Sequence, residues 1–470
     1  MTDHKNNIGR RNFLRTASCA AVGYTTLFST LNNLKAANAA AMANSATYAT
    51  GDYKALICLM NSGGMDSFNM LIPRGTDEYN EYANTRTNLA IPKNDLLNIN
   101  PITDDGQEYG LHPAMTNLKN LFEDGKVAFV ANVGSLVEPT TKTDYEQGST
   151  DLPLGLFSHA DQQMHWQTGI PQDRSPIGWG GKISDLLQDM NSNQNISMNI
   201  SLGGSNIYQA GNNTVEYAIN PYDGSYGITG YNDPWLFGQL RKAGIDSMLT
   251  QSYQDVFKQS YINVLDTAKV GHEEFSSAID GITPFTTQFT DNDLSQSFHM
   301  IAKTIAARDT LGMSRQIFFV DYGGWDHHDE ILDAQNEMLL EVDAALSEFN
   351  AAMEEIDMND CVTTFTISEF GRTLTSNGNG TDHAWGGNVM IMGGAVNGKD
   401  IYGTFPSLAL DSSLEIGGGV LIPTTAADEY FAELSEWYGV SKTDLPIILP
   451  NVSNFYNING ATPPLGFMNI

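Results

Sequence analysis

The run QIFFVDYGGWDHHDEILDAQNEMLLEVDAALSEFNAAMEEIDMNDCVTTFTISEFGRT at residues 316–373 decides the fold. An apolar strand-like segment, Gln316–Asp321, breaks into a Gly-rich loop. A long helical pattern, Ile331–Ile356, follows, and a second apolar strand, Val362–Ile367, leads straight into Ser368-Glu369-Phe370-Gly371-Arg372-Thr373. Strands alternating with helices in this way imply a largely parallel sheet covered by helices on both faces. The loops that follow its strands gather at one edge, where such sheets carry function.

The alternation continues in both directions. Lys54–Met60 reads as a short buried strand, broken by Asn61-Ser62-Gly63-Gly64. Pro113–Asp124 has helical spacing and leads into the strand Val127–Val133. Ser158–Thr168 and Lys182–Met190 read as helices, and Ile196–Leu202 as a strand. Beyond them lie the helix Leu294–Ala307, the strand Val389–Met392 and a final helix, Thr425–Tyr438. Residues 205–295 interrupt the pattern: polar and rich in Asn, Tyr and Gly at first, then helical from about Pro234 to Ala278. They read as an insertion or cap within a single α/β domain spanning 50–470.

The N-terminus reads as a targeting segment. Arg10-Arg11-Asn12-Phe13-Leu14-Arg15 is a twin-arginine pattern, followed by the apolar run Ala17–Leu31 and a small-residue cleavage site at Ala37-Asn38-Ala39. The expectation is passage through the twin-arginine translocase to the periplasm or outside the cell, with 1–39 removed. No later stretch approaches the ~18 apolar residues of a membrane span. Removing residues 1–39 takes five of 24 basic and one of 55 acidic residues, leaving 19 against 54 and a net charge of −35. That balance repels nucleic acid and anionic membrane surfaces. Cys58 and Cys361 both lie in apolar strand-like runs, which argues for buried thiols and against a catalytic one.

Chemistry-bearing residues crowd three stretches: Gly323–Glu330 (GGWDHHDE), Ser368–Thr373 (SEFGRT) and Thr381–Gly387 (TDHAWGG). Asp326 and His328 are two apart, so an extended backbone sends both to one side, where they can reach one ion. Imidazole with carboxylate suits zinc, manganese or iron. Glu369 follows a strand and should emerge at the sheet edge as a ligand or base; a local ion pair with Arg372 is the structural alternative. Arg372 offers a planar fork of donors suited to an oxyanion. Asp382 and His383 sit between glycine pairs that let backbone approach an ion closely. Asp66 turns off the first strand as a further candidate ligand, or as a cap. Ser158 opens a helix whose free N–H groups favour an anionic centre, and a plain N-cap is the competing role.

These motifs carry a resemblance. The series GGMDSFNMLIP (63–73), LAIP (89–92), GLHPAM (110–115), VGS (133–135), GGWDHH (323–328), SEFGRT (368–373), GTDHAWGG (380–387) and LIPTTAADEY (421–430), after a twin-arginine leader, resembles the uncharacterised exported family known as domain of unknown function 1501. That family is placed in the alkaline-phosphatase-like superfamily of phosphatases and sulfatases. The resemblance implies a central sheet between helices, one or two metal ions, and a nucleophile at a helix start. By position, Asp326 and His328 resemble one metal's Asp/His pair, His383 the late histidine ligand, and Ser158 the nucleophile. The chain departs from the superfamily pattern in three places. Asn61 stands where the first strand usually ends in Asp, Asp326-x-His328 is shorter than the usual spacing, and Phe370 rather than histidine follows Glu369. No Cys/Ser-x-Pro-x-Arg sequence is present, which disfavours a formylglycine sulfatase.

The expected protein is therefore an exported metal-dependent hydrolase of small anionic phosphate or sulfate esters. Its one or two divalent ions (zinc, manganese, iron or calcium) would be held by Asp66, Asp326, His328, Glu369, Asp382 and His383, with Ser158 and Arg372 acting on the substrate. The rival is a non-catalytic periplasmic or cell-surface binding protein that keeps the hydrolase scaffold.

Overall fold

Seven consecutive buried residues in the strand β1 (Lys54–Asn61) place it at the centre of a sheet. A strand covered on both faces needs a continuous apolar run rather than an alternating one. The computed structural model describes residues 52–470, so the twin-arginine segment lies outside the described residues. The other strands of the main sheet are β2 (Val127–Gly134), β3 (Asn199–Ser201), β4 (Tyr217–Asn220), β5 (Gly224–Ser225), β6 (Arg315–Asp321), β7 (Val362–Ser368), β8 (Gly387–Gly393), β9 (Ile401–Tyr402) and β10 (Thr425–Ala426). They run in the order β9-β2-β8-β7-β1-β6-β3-β4-β5, with β10 also on β2. β1 is parallel to both β7 and β6, whereas β8 runs antiparallel between β7 and β2.

That register builds the site's edge. Asn61 pairs with Ser368 and Met60 with Asp321, so β1, β6 and β7 all end at the same edge. Because β8 is reversed, it begins there: Gly387 pairs with Val133 near the end of β2. The loops 61–66, 322–330, 369–372 and 381–386 therefore share one rim.

Helices of eight residues or more are α1 (Thr76–Arg86), α2 (Thr116–Glu123), α3 (His159–Thr168), α4 (Trp179–Leu187), α5 (Leu236–Leu249), α6 (Val256–Asp280), α7 (Asp293–Ala306), α8 (Ile331–Glu355) and α9 (Ala427–Tyr438). α2, α7 and α8 cover one face of the sheet, where Leu118, Phe298 and Leu346 join Ile57, Leu59 and Phe318 in one core. On the other face Trp179 of α4 stacks on Phe431 of α9 (centroids 4.6 Å apart) and packs on Phe365 of β7. Helices on both faces of a mostly parallel sheet are what the alternating pattern implied. Among the described residues no helix is long and apolar enough to cross a membrane.

Three features differ from the sequence reading. A small antiparallel sheet joins Leu71–Pro73, Leu97–Ile99 and Tyr109–Leu111, segments too short to show a period. Residues 217–225 contribute β4 and β5 to the main sheet's edge. The helical stretch after Pro234 is two helices, the second started by Asp255, whose carboxylate accepts from Phe257 N (3.0 Å) and Lys258 N (3.1 Å).

α2 has no side-chain cap of its own. Asp343 of α8 serves instead, accepting from Leu118 N (2.7 Å), Asn117 N (3.1 Å) and Asn117 Nδ2 (2.9 Å). Burial raises its carboxyl pKa, against the lowering effect of those donors. Asp343→Ala strands these donors and should cost about 2–3 kcal/mol in urea unfolding. A loss under ~0.5 kcal/mol would show that the capping carries no stability.

Candidate metal centre

Three segments bring His159, Asp326, His328 and His383 together: the start of α3, the loop after β6 and the loop before β8. Asp326 and His328 come from the loop after β6, and His383 from the loop before β8. That second loop pairs with the segment after β7: Ala384 N donates to Gly371 O (2.9 Å) and Thr373 N to Asp382 O (3.0 Å), setting Arg372 opposite His383. Backbone crossings this close demand glycine at Gly380, where a Cβ would lie 2.2 Å from the His328 carbonyl carbon. Gly63 has the same role, at φ +117° with a would-be Cβ 2.5 Å from Asp326 N.

Asp326 is the hub. His159 Nε2 lies 3.4 Å from its Oδ2, while His328 Nε2 (3.1 Å) and His383 Nε2 (3.4 Å) approach its Oδ1. The Nε2 atoms of His328 and His383 are 3.1 Å apart. Among the described residues, ligand atoms of His159, Asp326 and His383 all lie within 4.8 Å of one another, a set able to hold a metal ion.

The outer nitrogens decide the tautomers. His383 Nδ1 is 2.7 Å from Phe157 O, a carbonyl that can only accept, so the ring carries its proton on Nδ1. His159 Nδ1 meets Glu369 Oε2 at 2.5 Å and His328 Nδ1 meets Asp382 Oδ1 at 3.2 Å, both carboxylate acceptors. In their neutral form all three rings therefore turn Nε2 lone pairs toward the Asp326 carboxylate. Arg372 offsets the Asp326 charge from the outer side, and a cation or a shared proton among the four groups would offset the inward-facing lone pairs. Hydrogen-bonding the outer nitrogen to an oxygen is also how metal-ligating histidines are held. The donor set thus fits a divalent ion of the kind imidazole and carboxylate prefer.

Phe157, which supplies the carbonyl to His383, has φ 71°. A bulky side chain rarely adopts that conformation, and strain of this kind is tolerated where surrounding contacts over-determine it. The kink starts α3, putting His159 at the helix's first position, where its ring stands edge-on to His383 at 4.3 Å. His383 in turn stacks on Phe370 at 4.5 Å.

Arg372, expected to hold a substrate oxyanion, is placed inside the rim as a clamp on protein groups. Its side chain is fully buried and every nitrogen is engaged within the protein. Nε donates to Gly64 O (2.8 Å), Nη1 to Thr381 O (3.2 Å), and Nη2 to Gly63 O (2.5 Å) and Asp326 Oδ1. Burial raises the pKa of Asp326, but the Arg372 hydrogen bond and charge, together with His159 and His328, outweigh it and hold the carboxyl below its ordinary value.

Asp66, expected as a ligand, lies apart from the four. It is completely buried, ion-paired with Arg86, and outside the cluster. Glu369 and Asp382 support histidines rather than facing their inner nitrogens. Ser158 stands at the start of α3 as its N-cap, and the nearby Asp161 carboxylate is ion-paired with Arg174, which lowers its pKa first. Among the described residues no hydrogen bond joins Ser158 to the histidines. The residue the sequence reading missed is His159. The available signal was its place beside Ser158 at a helix start, but nothing local tied it to motifs two hundred residues away.

Residues 252–415 match the model of a family described as a protein of unknown function, DUF1501, the family to which the motifs pointed. No curated protein shows a matching sequence. Among solved structures, the chain is similar to PsFucS1 sulfatase from Pseudoalteromonas sp., at 8% identity and a TM-score of 0.36, over 87% of this chain and 71% of that one. It is similar to the C-terminal periplasmic domain of EcEptC from Escherichia coli in complex with Zn, at 8% identity and 0.30, covering 73% of each. It also resembles a mutant of alkaline phosphatase PafA, at 12% identity and 0.27, over 69% and 64%. Likenesses at this level carry no argument about activity.

Arg372→Lys separates the two roles of that side chain. A structural clamp should lose about 3 kcal/mol in thermal or urea unfolding, because a lysine's three donors cannot serve four carbonyls, that of Trp325 included, and Asp326 together. A side chain serving only substrate would leave the melting temperature unchanged.

Proposed function

We propose that the protein is an exported, metal-dependent hydrolase of phosphate or sulfate esters, working in the periplasm or outside the cell after passage through the twin-arginine translocase. The observation that carries the hydrolase reading is the convergence of three Nε2 lone pairs on Asp326, each ring held by an oxygen at Nδ1. His159, Asp326, His328 and His383 would hold one ion, and zinc, manganese or iron suits that set better than calcium. A divalent ion bound there supplies Lewis acidity toward an ester oxygen or a water molecule.

The chain's own residues do the rest. Glu369, Asp382 and the Phe157 carbonyl keep the three rings in one tautomer and strengthen their inner nitrogens as donors. Arg372 fixes the Asp326 carboxylate. Ser158 is the candidate nucleophile: it sits at a helix start, where free N–H groups favour negative charge.

One observation favours the rival binding-protein reading. Arg372 has no nitrogen left for an anionic substrate oxygen, so that task would fall on histidine, backbone N–H groups or the ion itself.

Protein purified through its own export route without chelators should carry one or two equivalents of a divalent metal by plasma mass spectrometry. His383→Ala should lose it. Glu369→Gln should keep the fold and weaken metal affinity about 10–100-fold. A metal-free, well-folded wild type would sink the proposal.

The metal-loaded protein should hydrolyse at least one member of an aryl phosphate and sulfate panel, and His383→Ala should abolish that activity. A loaded enzyme inert across the panel would leave the binding-protein reading standing.

A further inference from the structure

The hairpin formed by α5 and α6 is left bare. α5 has fourteen residues and buries only Gly238, and the first fifteen residues of α6 bury only Ile262. Helices of this length are marginal in water without packing on an apolar face. The helices are nonetheless amphipathic. Leu236, Phe237, Leu240 and Met248 fall within an arc of about 120° on a 3.6-residue helix. Val256, Phe257, Tyr261 and Val264 fall within about 140° on α6. All eight side chains are solvent-exposed, with Phe237 at 80% and Phe257 at 88%.

We propose that this hairpin is a self-association surface, on which two copies pair about a two-fold axis into a four-helix bundle. Two amphipathic helices with open apolar stripes are half of such a bundle, and an isologous pairing covers both halves with one contact. Area and charge both favour a second copy. Trp235, Phe237, Phe257 and Tyr261 are 67–88% exposed. At ~150–250 Å² per aromatic they alone offer roughly 500–800 Å², against about 800 Å² per partner in a stable interface. The chain carries a net charge of −31, yet residues 236–264 hold Arg241, Lys242 and Lys258 against Asp246 and Asp255. Two copies can therefore meet on this face without the repulsion the rest of the surface imposes. A lipid surface fits less well, because so small a positive balance gives anionic headgroups little to attract.

Sedimentation velocity over a range of micromolar concentrations tests the proposal. The wild type should sediment as a dimer. Phe237→Ser with Phe257→Ser should weaken dimerisation at least ~100-fold, with an unchanged circular-dichroism spectrum and metal content. Hydrogen exchange on the wild type gives a readout that needs no variant: amides of 236–264 should gain protection as concentration rises. A wild type that stays monomeric overturns the proposal, whether or not it co-sediments with phosphatidylcholine/phosphatidylglycerol vesicles. So does a dimer that a folded double variant leaves intact, or protection independent of concentration.

Discussion

A buried guanidinium has to find acceptors for all its donors, and the site rim is organised around how Arg372 finds them. Leaving one N–H unpaired away from water would cost a few kcal/mol, more for a charged group. The acceptors come from the loop after β1 (Gly63, Gly64), the loop after β6 (Asp326) and the loop before β8 (Thr381), while Arg372 itself follows β7. One side chain thus ties together four loops that enter the rim from different strands. Asp326 is the last of these partners and also the group on which the histidines converge, so the same ion pair that closes the rim aims the hub of the centre.

The histidines show how orientation is divided between outer and inner contacts. Glu369, Asp382 and the Phe157 carbonyl each take one Nδ1 proton, and all three inner nitrogens are left facing a single carboxylate. No pairwise contact in that cluster is strong by itself. Its meaning lies in the sign of the charges: Arg372 compensates Asp326 from the outer side, and neutral rings would turn their lone pairs on the inner side toward a place suited to a positive ion. The surrounding molecule is strongly acidic, so a positive centre would stand out locally against that charge.

Much of the fold was legible because its strands and helices differ in period and are long enough to show it. Lys54–Met60, Gln316–Asp321 and Val362–Ile367 were readable as buried strands, and Ile331–Ile356 as the helix between two of them. The antiparallel direction of β8 was not legible, since strand direction follows from which neighbour pairs with it and leaves no local trace. Nor were the short strands at 71–73, 97–99 and 109–111, which hold too few residues to show alternation.

By itself the sequence determined the chemistry available: carboxylates and imidazoles concentrated in GGWDHH, SEFGRT and TDHAWGG, the first two directly after buried strands. Residue type and strand order are local properties, and local properties survive in a linear reading. Only the tertiary structure decided which nitrogen of each ring faces inward, that His159 joins from a helix start far away in the chain, and that Arg372 and Asp66 are spent on holding backbone and a buried pair. Those outcomes depend on distances of a few ångströms between loops hundreds of residues apart, and on whether a charge is buried. Spacing along the chain encodes neither.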